Sequence, residues 1–171
     1  MMNAKELWNK CVAFHGHSCG GLTIGYKAAL YAMDLLDFDA GDSEQIVCVA
    51  ENDGCSLDGI QVVTGCTTGK GNLLLNMTGK QAFNFISRAD GKAVRLVLRP
   101  APAHIGRAES LVYYQMQDYE DMFDVKPVTV QLPTPLRSTK NVVCEICGES
   151  TGDHYIRLQD GKQVCPDCWK E

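Results

Sequence analysis

Phe14-His15-Gly16-His17-Ser18-Cys19-Gly20-Gly21 is the stretch around which this sequence is organised. Two imidazoles and one thiol, those of His15, His17 and Cys19, occupy every second position. In an extended segment, side chains two positions apart leave on the same side of the backbone, so the three donors are expected to converge. Such donors just before a helix suit a transition metal or an activated thiolate. The structural alternative is a turn whose histidines cap a helix and whose cysteine is buried.

The composition is that of a globular protein with a substantial core. The chain has 171 residues, of which 45% are hydrophobic and 22% charged, enough for one ordinary domain and a small appendage. The net charge of −5 disfavours nucleic acid as the main partner. Residues 1–13 carry no apolar leader, and no later stretch approaches the ~20 apolar residues of a membrane span. We therefore expect a cytoplasmic protein, in which nine cysteines indicate metal or thiol chemistry more than disulfides.

Hydrophobic periodicity predicts both helices and strands within the first 130 residues. We expect helices over residues 3–13, 20–37, from Cys55 to Cys66, and 107–123. Predicted strands occupy residues 46–50, 73–77, 82–86, 93–98 and 128–130. The strands at 73–77, 82–86 and 93–98 are joined by turn signals and favour an antiparallel meander. A proline-rich linker then runs to Lys140.

Cys55 follows a turn signal, which places its thiol on the first turn of a helix. The free N–H groups and the macrodipole at that position are expected to lower the pKa of the thiol. Cys66 lies eleven residues further on, roughly on the same helix face, unless the helix ends at Gly65.

The glycine-rich segment Thr64–Asn72 resembles a phosphate-binding loop without satisfying its pattern. The two glycines before Lys70 are one residue too close together, and Gly71 stands where a hydroxyl is required. A bend that brings Cys66 and Lys70 near the first motif is favoured. Lys70 would then contact an anionic ligand.

Two C-x-x-C pairs mark the C-terminal end of the chain. Seventeen residues separate Cys144 and Cys147 from Cys165 and Cys168, which is the usual spacing of a four-thiolate zinc site. Four thiolates close the coordination sphere, so the zinc is expected to be structural. Folding of such a small unit would depend on the metal. A pair of redox dithiols is the alternative.

Across roughly residues 8–100 the chain resembles the FmdE family, named for the FmdE component of formylmethanofuran dehydrogenase. The resemblance rests on the F-H-G-H-x-C-x-G segment from Phe14 to Gly21 and on several further motifs. These are Asp53-Gly54-Cys55 with Asp58 and Gln61, Thr64-Gly65-Cys66-Thr67 continuing into Gly69-Lys70-Gly71-Asn72, then Gly79-Lys80 and Ala82-Phe83. Gly20 departs from the family, which commonly has proline there. The C-terminal module resembles the zinc ribbon that many members carry.

The resemblance implies an α+β domain with a cleft lined by the histidine and cysteine motifs, and a metal-binding role. Together with the predicted elements, it gives an α+β fold in which N-terminal helices pack on a mostly antiparallel sheet, followed by a zinc ribbon. We expect an FmdE-like domain over residues 1–132, and a linker with the ribbon over residues 133–171. A homodimer is compatible with two small domains on a tether.

Three functions are compatible with these motifs, and the sequence leaves open whether the chain is an enzyme. In the first, His17, Cys19 and Cys55, helped by His15 and Cys66, hold zinc or iron with a vacant position for a small-molecule substrate. Cys55 and His17 would be the catalytic groups, and Asp53 or Asp58 would orient a histidine. In the second, the chain is an accessory subunit of a molybdenum or tungsten oxidoreductase. In the third, Cys19 and Cys55 perform thiol redox chemistry without metal.

Overall fold

The computed structural model describes residues 3–40, 45–131 and 140–170. The chain divides into two compact units, Met1–Val130 and Gln131–Glu171. The predicted domain boundary at residues 132 and 133 and the linker over 133–139 lie outside the described residues. Within the described part of the chain, no helix has the length and apolar character needed to cross a bilayer.

Two consecutive helices surround the first motif. Helix α1 (Ala4–His15) begins at a capping box in which Asn3 Oδ1 accepts from the Glu6 N–H and Glu6 accepts from the Asn3 N–H. It ends at Gly16, whose left-handed φ of 87° suits a residue without a side chain. Helix α2 (Gly20–Leu36) follows after four residues. His15 is therefore the last residue of a helix, and the prediction of an extended donor segment is wrong.

Helices α2 and α3 (Ser56–Thr64) are in backbone contact. A Cβ added at Gly25 would lie 1.8 Å from the Ser56 carbonyl oxygen, and one at Gly59 would lie 2.6 Å from the Tyr26 nitrogen. Only glycine permits both approaches, so these two positions determine how closely the helices pack. The start of α3 is thereby held against the first turns of α2.

One five-stranded sheet supports the helices. Its strands are β1 (Ile46–Ala50), β2 (Leu73–Leu75), β3 (Ala82–Ser87), β4 (Ala93–Leu98) and β5 (Phe123–Lys126), in the order β2-β1-β3-β4-β5. Strands β1 and β2 are parallel and all other pairs antiparallel. The α+β fold with helices on a mostly antiparallel sheet is confirmed. The predicted meander is wrong in one respect: α3 is a crossover connection between β1 and β2, which makes them parallel neighbours.

The predicted helix over residues 107–123 is divided into shorter elements. Helix α4 (Ser110–Met116) ends at the extended residue Gln117, and α5 (Tyr119–Met122) begins after Asp118. From Phe123 the chain pairs with β4 as strand β5. Among the described residues, 128–130 form no strand, because the last strand ends at Lys126, before Pro127.

The C-terminal unit contains two small hairpins. One pairs β6 (Asn141–Val143) with β7 (Ser150–Gly152), and the other pairs β8 (Arg157–Gln159) with β9 (Lys162–Val164). A short 3₁₀ helix, Asp153–Tyr155, lies between them. Val164, Cys144 and Cys165 form the small buried cluster of this C-terminal unit. Such a cluster is too small to stabilise a domain by burial alone.

Candidate metal centres

The side chains of His15, His17 and Cys19 converge between α1 and α2. Their three ligand atoms lie within 4.8 Å of one another. His15 Nε2 is 3.6 Å from Cys19 Sγ, and the two imidazole rings are 4.5 Å apart. The convergence results from the left-handed residue Gly16, which ends α1 and reverses the chain before α2. Two imidazole nitrogens and one sulfur form a donor set suited to zinc or iron.

Two further contacts fix the donors of this cluster. Asp58 Oδ2 lies 2.7 Å from His15 Nδ1 and accepts a hydrogen bond from it, so Nε2 is the ring nitrogen directed at Cys19. Cys19 is the N-cap of α2, and its sulfur accepts from the Leu22 N–H at 3.3 Å. This contact holds the Cys19 sulfur at the first turn of α2, on the side that His15 approaches.

Cys55 lies beside the cluster at the start of α3. A Cβ at Gly21 would be 3.8 Å from Cys55 Sγ and 3.9 Å from Cys19 Sγ, so this glycine leaves the two thiols side by side. The Cys55 thiol is exposed, yet partial desolvation, followed by the neighbouring Cys19 thiol, raises its pKa. This differs from the predicted lowering, because Cys55 forms no side-chain capping bond to the helix.

An open cleft of about 320 Å³ adjoins His15 and Cys55. Its polar lining comes from His15, Asp53, Cys55, Asp58, Gln61 and Thr68. Leu57 and the edge strand residues Leu73 and Leu75 supply an apolar side. The cleft is large enough for a small molecule adjacent to the donor cluster.

Cys66 and Lys70 lie elsewhere. Helix α3 ends at Thr64, because Gly65 adopts a left-handed φ of 73° and breaks the predicted alignment. The Cys66 thiol is fully buried, donates to the Ile46 carbonyl oxygen at 3.3 Å, and has a pKa raised by burial. Lys70 is exposed and does not line the cleft. The structure therefore brings neither residue into the His15, His17 and Cys19 cluster.

The loop before β2 is closed by its own hydrogen bonds. The Thr67 N–H donates to Asn72 Oδ1 at 2.9 Å, and the Gly71 N–H donates to the Thr68 carbonyl at 3.0 Å. These hydrogen bonds hold the segment in a closed bend immediately before β2.

Two glycines that position the site were not predicted from the sequence motifs. Gly21 and Gly25 are one turn apart on α2 and both face α3, where Cys55 and Ser56 come close. Small residues spaced four apart on a predicted helix were the available signal for such an approach.

The four cysteines of the C-terminal unit form a second cluster. The sulfurs of Cys144, Cys147, Cys165 and Cys168 lie within 4.8 Å of one another. The backbone N–H groups of Cys147, Cys165 and Ile146 point at the Cys144 sulfur and lower its pKa to about 6. The Cys165 N–H is 3.3 Å from that sulfur. This arrangement is consistent with a zinc ribbon.

The fold and the two clusters define a protein with an α+β unit that carries a histidine–cysteine group, followed by a four-cysteine module. The chain belongs to the FmdE family, described as "FmdE, Molybdenum formylmethanofuran dehydrogenase operon", which matches residues 14–123.

The chain is also similar to two known proteins, one in sequence and one in structure. A probable S-adenosyl-L-methionine-binding protein of Archaeoglobus fulgidus is 38% identical over 100 residues, which cover 56% of this chain. The chain spans only 25% of the length of that relative. The crystal structure of a tungsten formylmethanofuran dehydrogenase FmdE-like protein from Syntrophus aciditrophicus superposes with a TM-score of 0.71 at 22% identity. That match covers 96% of this chain and 90% of the other, and it shows the fold.

Proposed function

We propose that the N-terminal unit binds one transition metal, zinc or iron, through His15 Nε2, His17 and Cys19. The supporting observation is that these three ligand atoms converge while Asp58 holds the other nitrogen of His15. Three protein donors leave a coordination position for water or a small ligand. The bound metal would supply Lewis-acid or redox chemistry to a small molecule in the adjoining cleft.

The residues around the cluster have separate roles in this proposal. Cys55 stands beside Cys19 as a fourth donor or as a group that contacts the small molecule. His17 is the exposed donor of the three. It is therefore the donor that can leave the metal and accept a proton from a small molecule bound in the cleft. Asp58 is a positioning residue for His15. Cys66 and Lys70 have no role at the metal.

The four-cysteine cluster is proposed to hold a structural zinc. All four ligand positions belong to the protein, so no position is left for a substrate. Because the unit has only a small apolar cluster, metal binding would supply most of its stability. All nine cysteines lie in the described part of the chain and are free thiols there, so the four of the C-terminal cluster are available as ligands.

Metal analysis of the whole 171-residue chain tests both assignments. Reconstituted wild type is expected to bind two metals per chain. His15→Ala and His17→Ala should each lose the metal of the N-terminal cluster and keep the zinc of the four-cysteine cluster. Cys144→Ser should lose only the zinc. His104→Ala is the matched control, since that exposed histidine belongs to neither cluster. Cobalt substitution would report sulfur ligation at both sites through charge-transfer bands. A wild type that saturates with one metal, retained in His15→Ala, would disprove the N-terminal site.

An accessory role in a molybdenum or tungsten oxidoreductase is the second proposed function. The description of the family supports it, since it places the family in a formylmethanofuran dehydrogenase operon. In this case the protein would co-purify with such an enzyme, and the metal-loaded chain alone would show no turnover. S-adenosylmethionine binding is not transferred to this chain, because three quarters of the A. fulgidus relative lie outside the match.

Metal-free thiol chemistry is the third proposed function, supported by the Cys19 and Cys55 thiols that lie side by side at the start of α3. Partial desolvation raises the pKa of Cys55, which opposes thiolate formation at that residue. Rapid alkylation of Cys55 at neutral pH, in a chain that binds only the zinc of the four-cysteine cluster, would favour this function over the N-terminal metal site.

A further inference from the structure

The cleft beside the N-terminal donor cluster is lined by negative side chains without lysine or arginine. Its two carboxylates are those of Asp53 and Asp58, and none of its described lining residues is a permanent cation. Asp58 is already engaged, because it accepts hydrogen bonds from His15 Nδ1 at 2.7 Å and from Gln61 Nε2 at 3.2 Å. Among the described residues, none forms a hydrogen bond or an ion pair with the Asp53 side chain. The carboxylate of Asp53 is therefore available to a ligand.

The loop that carries Asp53 is anchored on both sides. Asn52 is only 5% exposed, and its Oδ1 accepts hydrogen bonds from the Gly54 N–H at 3.1 Å and from the Ser56 hydroxyl at 3.2 Å. Its Nδ2 donates to the Lys80 carbonyl oxygen at 3.0 Å. Because these bonds fix the backbone before and after Asp53, this residue keeps a constant position in the wall of the cleft.

A metal in the donor cluster would not reverse the sign of the charge in the cleft. In the proposed function a divalent ion binds the Cys19 thiolate, and the Asp58 carboxylate stands behind His15. The thiolate and this carboxylate together balance the two charges of the ion, which leaves the charge of Asp53 unbalanced. The cleft would therefore attract a ligand with a positive group and repel an anionic one.

One side of the cleft is apolar. It is formed by Leu57 and by Leu73 and Leu75 of the edge strand β2. Leu75 is 52% exposed, so an apolar part of a ligand lying against it would remove hydrophobic surface from water. A ligand that suits both sides of the cleft has an apolar body and a positively charged end.

We propose that the cleft takes a small organic cation of the alkylammonium class, and that Asp53 determines this specificity. The proposal rests on the proposed function, in which the other end of the ligand binds the metal at its vacant position. The ammonium group lies toward Asp53 and the apolar chain against Leu75. This ligand class replaces the predicted anionic ligand, since Lys70 does not line the cleft.

Three thiols with the same hexyl chain test this specificity in the cobalt-loaded chain. They end in an ammonium, a hydroxyl or a carboxylate group, so the sulfur can bind the metal while only the charge at the far end differs. Each thiol is titrated against the cobalt bands of the N-terminal cluster. We expect the ammonium thiol to bind about two- to fivefold more tightly than the hydroxyl thiol, and the carboxylate thiol more weakly by a similar factor, as suits one exposed charge.

Asp53→Asn should retain its cobalt and bind the three thiols with about equal affinity. Glu120→Gln is the matched control and should keep the wild-type order, because Glu120 is exposed on α5 and does not line the cleft. Both variants remove one negative charge, so a change seen only in Asp53→Asn reflects the cleft and not the net charge of the chain.

The possible failures separate this inference from the metal site itself. A wild type that binds the three thiols equally or prefers the carboxylate, or a preference for the ammonium that persists in Asp53→Asn, would overturn the inference while the metal site stands. Cobalt bands that none of the thiols alters would overturn it as well, because the metal would then have no vacant position. A chain without cobalt at the N-terminal cluster would overturn the proposed function and this inference together.

Discussion

His15 Nδ1 lies 2.7 Å from Asp58 Oδ2, although forty-three residues separate the two in the chain. The His15 side chain is only 10% exposed, so the contact fixes the ring and leaves Nε2 directed at Cys19. A carboxylate behind a metal-binding histidine orients the ring and increases its basicity.

Asp58→Asn should therefore weaken metal binding at the N-terminal cluster by about 10–100-fold, the range seen when such supporting partners are removed. Competition with a chromogenic chelator measures this affinity, and the four-cysteine site should be unaffected. Asp53→Asn is the control, because Asp53 lines the same cleft whereas the carboxylate that holds His15 belongs to Asp58. Equal losses in both variants would indicate a general electrostatic effect in place of the specific contact.

Gly25→Ala should be among the most damaging single substitutions in the chain. Its Cβ would lie 1.8 Å from the Ser56 carbonyl oxygen, which is backbone and cannot rotate away. We expect a loss of more than about 3 kcal/mol in the free energy of unfolding, or no folded protein, because α2 and α3 must separate. Loss of helical circular dichroism and of the first metal would follow together.

Gly69→Ala is the matched control for that substitution. A Cβ at Gly69 meets no atom within 4 Å. Its unfolding free energy should stay within about 0.5 kcal/mol of wild type. If Gly25→Ala is equally mild, the close helix contact is not required for folding.

The sequence predicted which donors converge, but not the backbone conformation that brings them together. His15, His17 and Cys19 converge as expected, but through a left-handed turn at Gly16 between two helices. An F-H-G-H-x-C string does not show whether His15 ends a helix, because capping at Gly16 depends on tertiary packing as well as on local preference. The three donors would converge in an extended chain, where they occupy every second position, and they also converge across a tight turn, so convergence alone does not distinguish the two conformations.

Long-range contacts account for most of the errors. Leu73–Leu75 is predicted as the first strand of a meander, but β1 already lies between it and β3. Cys66 shares a face with Cys55 in the predicted helix, but Gly65 ends that helix before Cys66 is reached. In both cases the local pattern predicted the type of element correctly, but it could not predict which other elements lie next to it or where it ends. The four-cysteine cluster was predictable because each C-x-x-C pair places its two sulfurs close together within four residues, so only the meeting of the two pairs depends on long-range contacts.

Glu51 should link the stability of the N-terminal unit to pH. Its carboxylate accepts from Arg95 at 2.6 and 2.9 Å and from Asn84 and Thr78, and is only 5% exposed. Hydrogen bonds from Arg95 lower the pKa of Glu51 from 4.5 to about 2, against the effect of burial. The ionised form is thus favoured by folding, by an amount on the order of 3 kcal/mol.

Because the folded pKa is lowered, this contribution is complete above about pH 4.5 and disappears as pH falls toward 2. Urea unfolding of wild type and Glu51→Gln should show a constant difference in free energy near neutral pH that closes over this range. Asp90→Asn is the control, since Asp90 pairs with Lys92 at the exposed surface, where screening leaves little stabilisation. A difference that stays constant down to pH 2 would exclude Glu51 as the titrating group.

Cys55 and Cys66 should respond in opposite ways to removal of their sulfur. Cys66→Ala empties a fully buried position and leaves the Ile46 carbonyl without its thiol donor, so the unfolding free energy should fall by about 1–2 kcal/mol while cobalt binding at the N-terminal cluster is unchanged. Cys55→Ala removes an exposed thiol next to Cys19, so stability should change little while the cobalt spectrum of that cluster shifts. Chemical denaturation and cobalt titration of the two variants separate the effects. If Cys66→Ala alters the cobalt spectrum and Cys55→Ala does not, the buried thiol is the ligand and the arrangement at the start of α3 is incidental to metal binding.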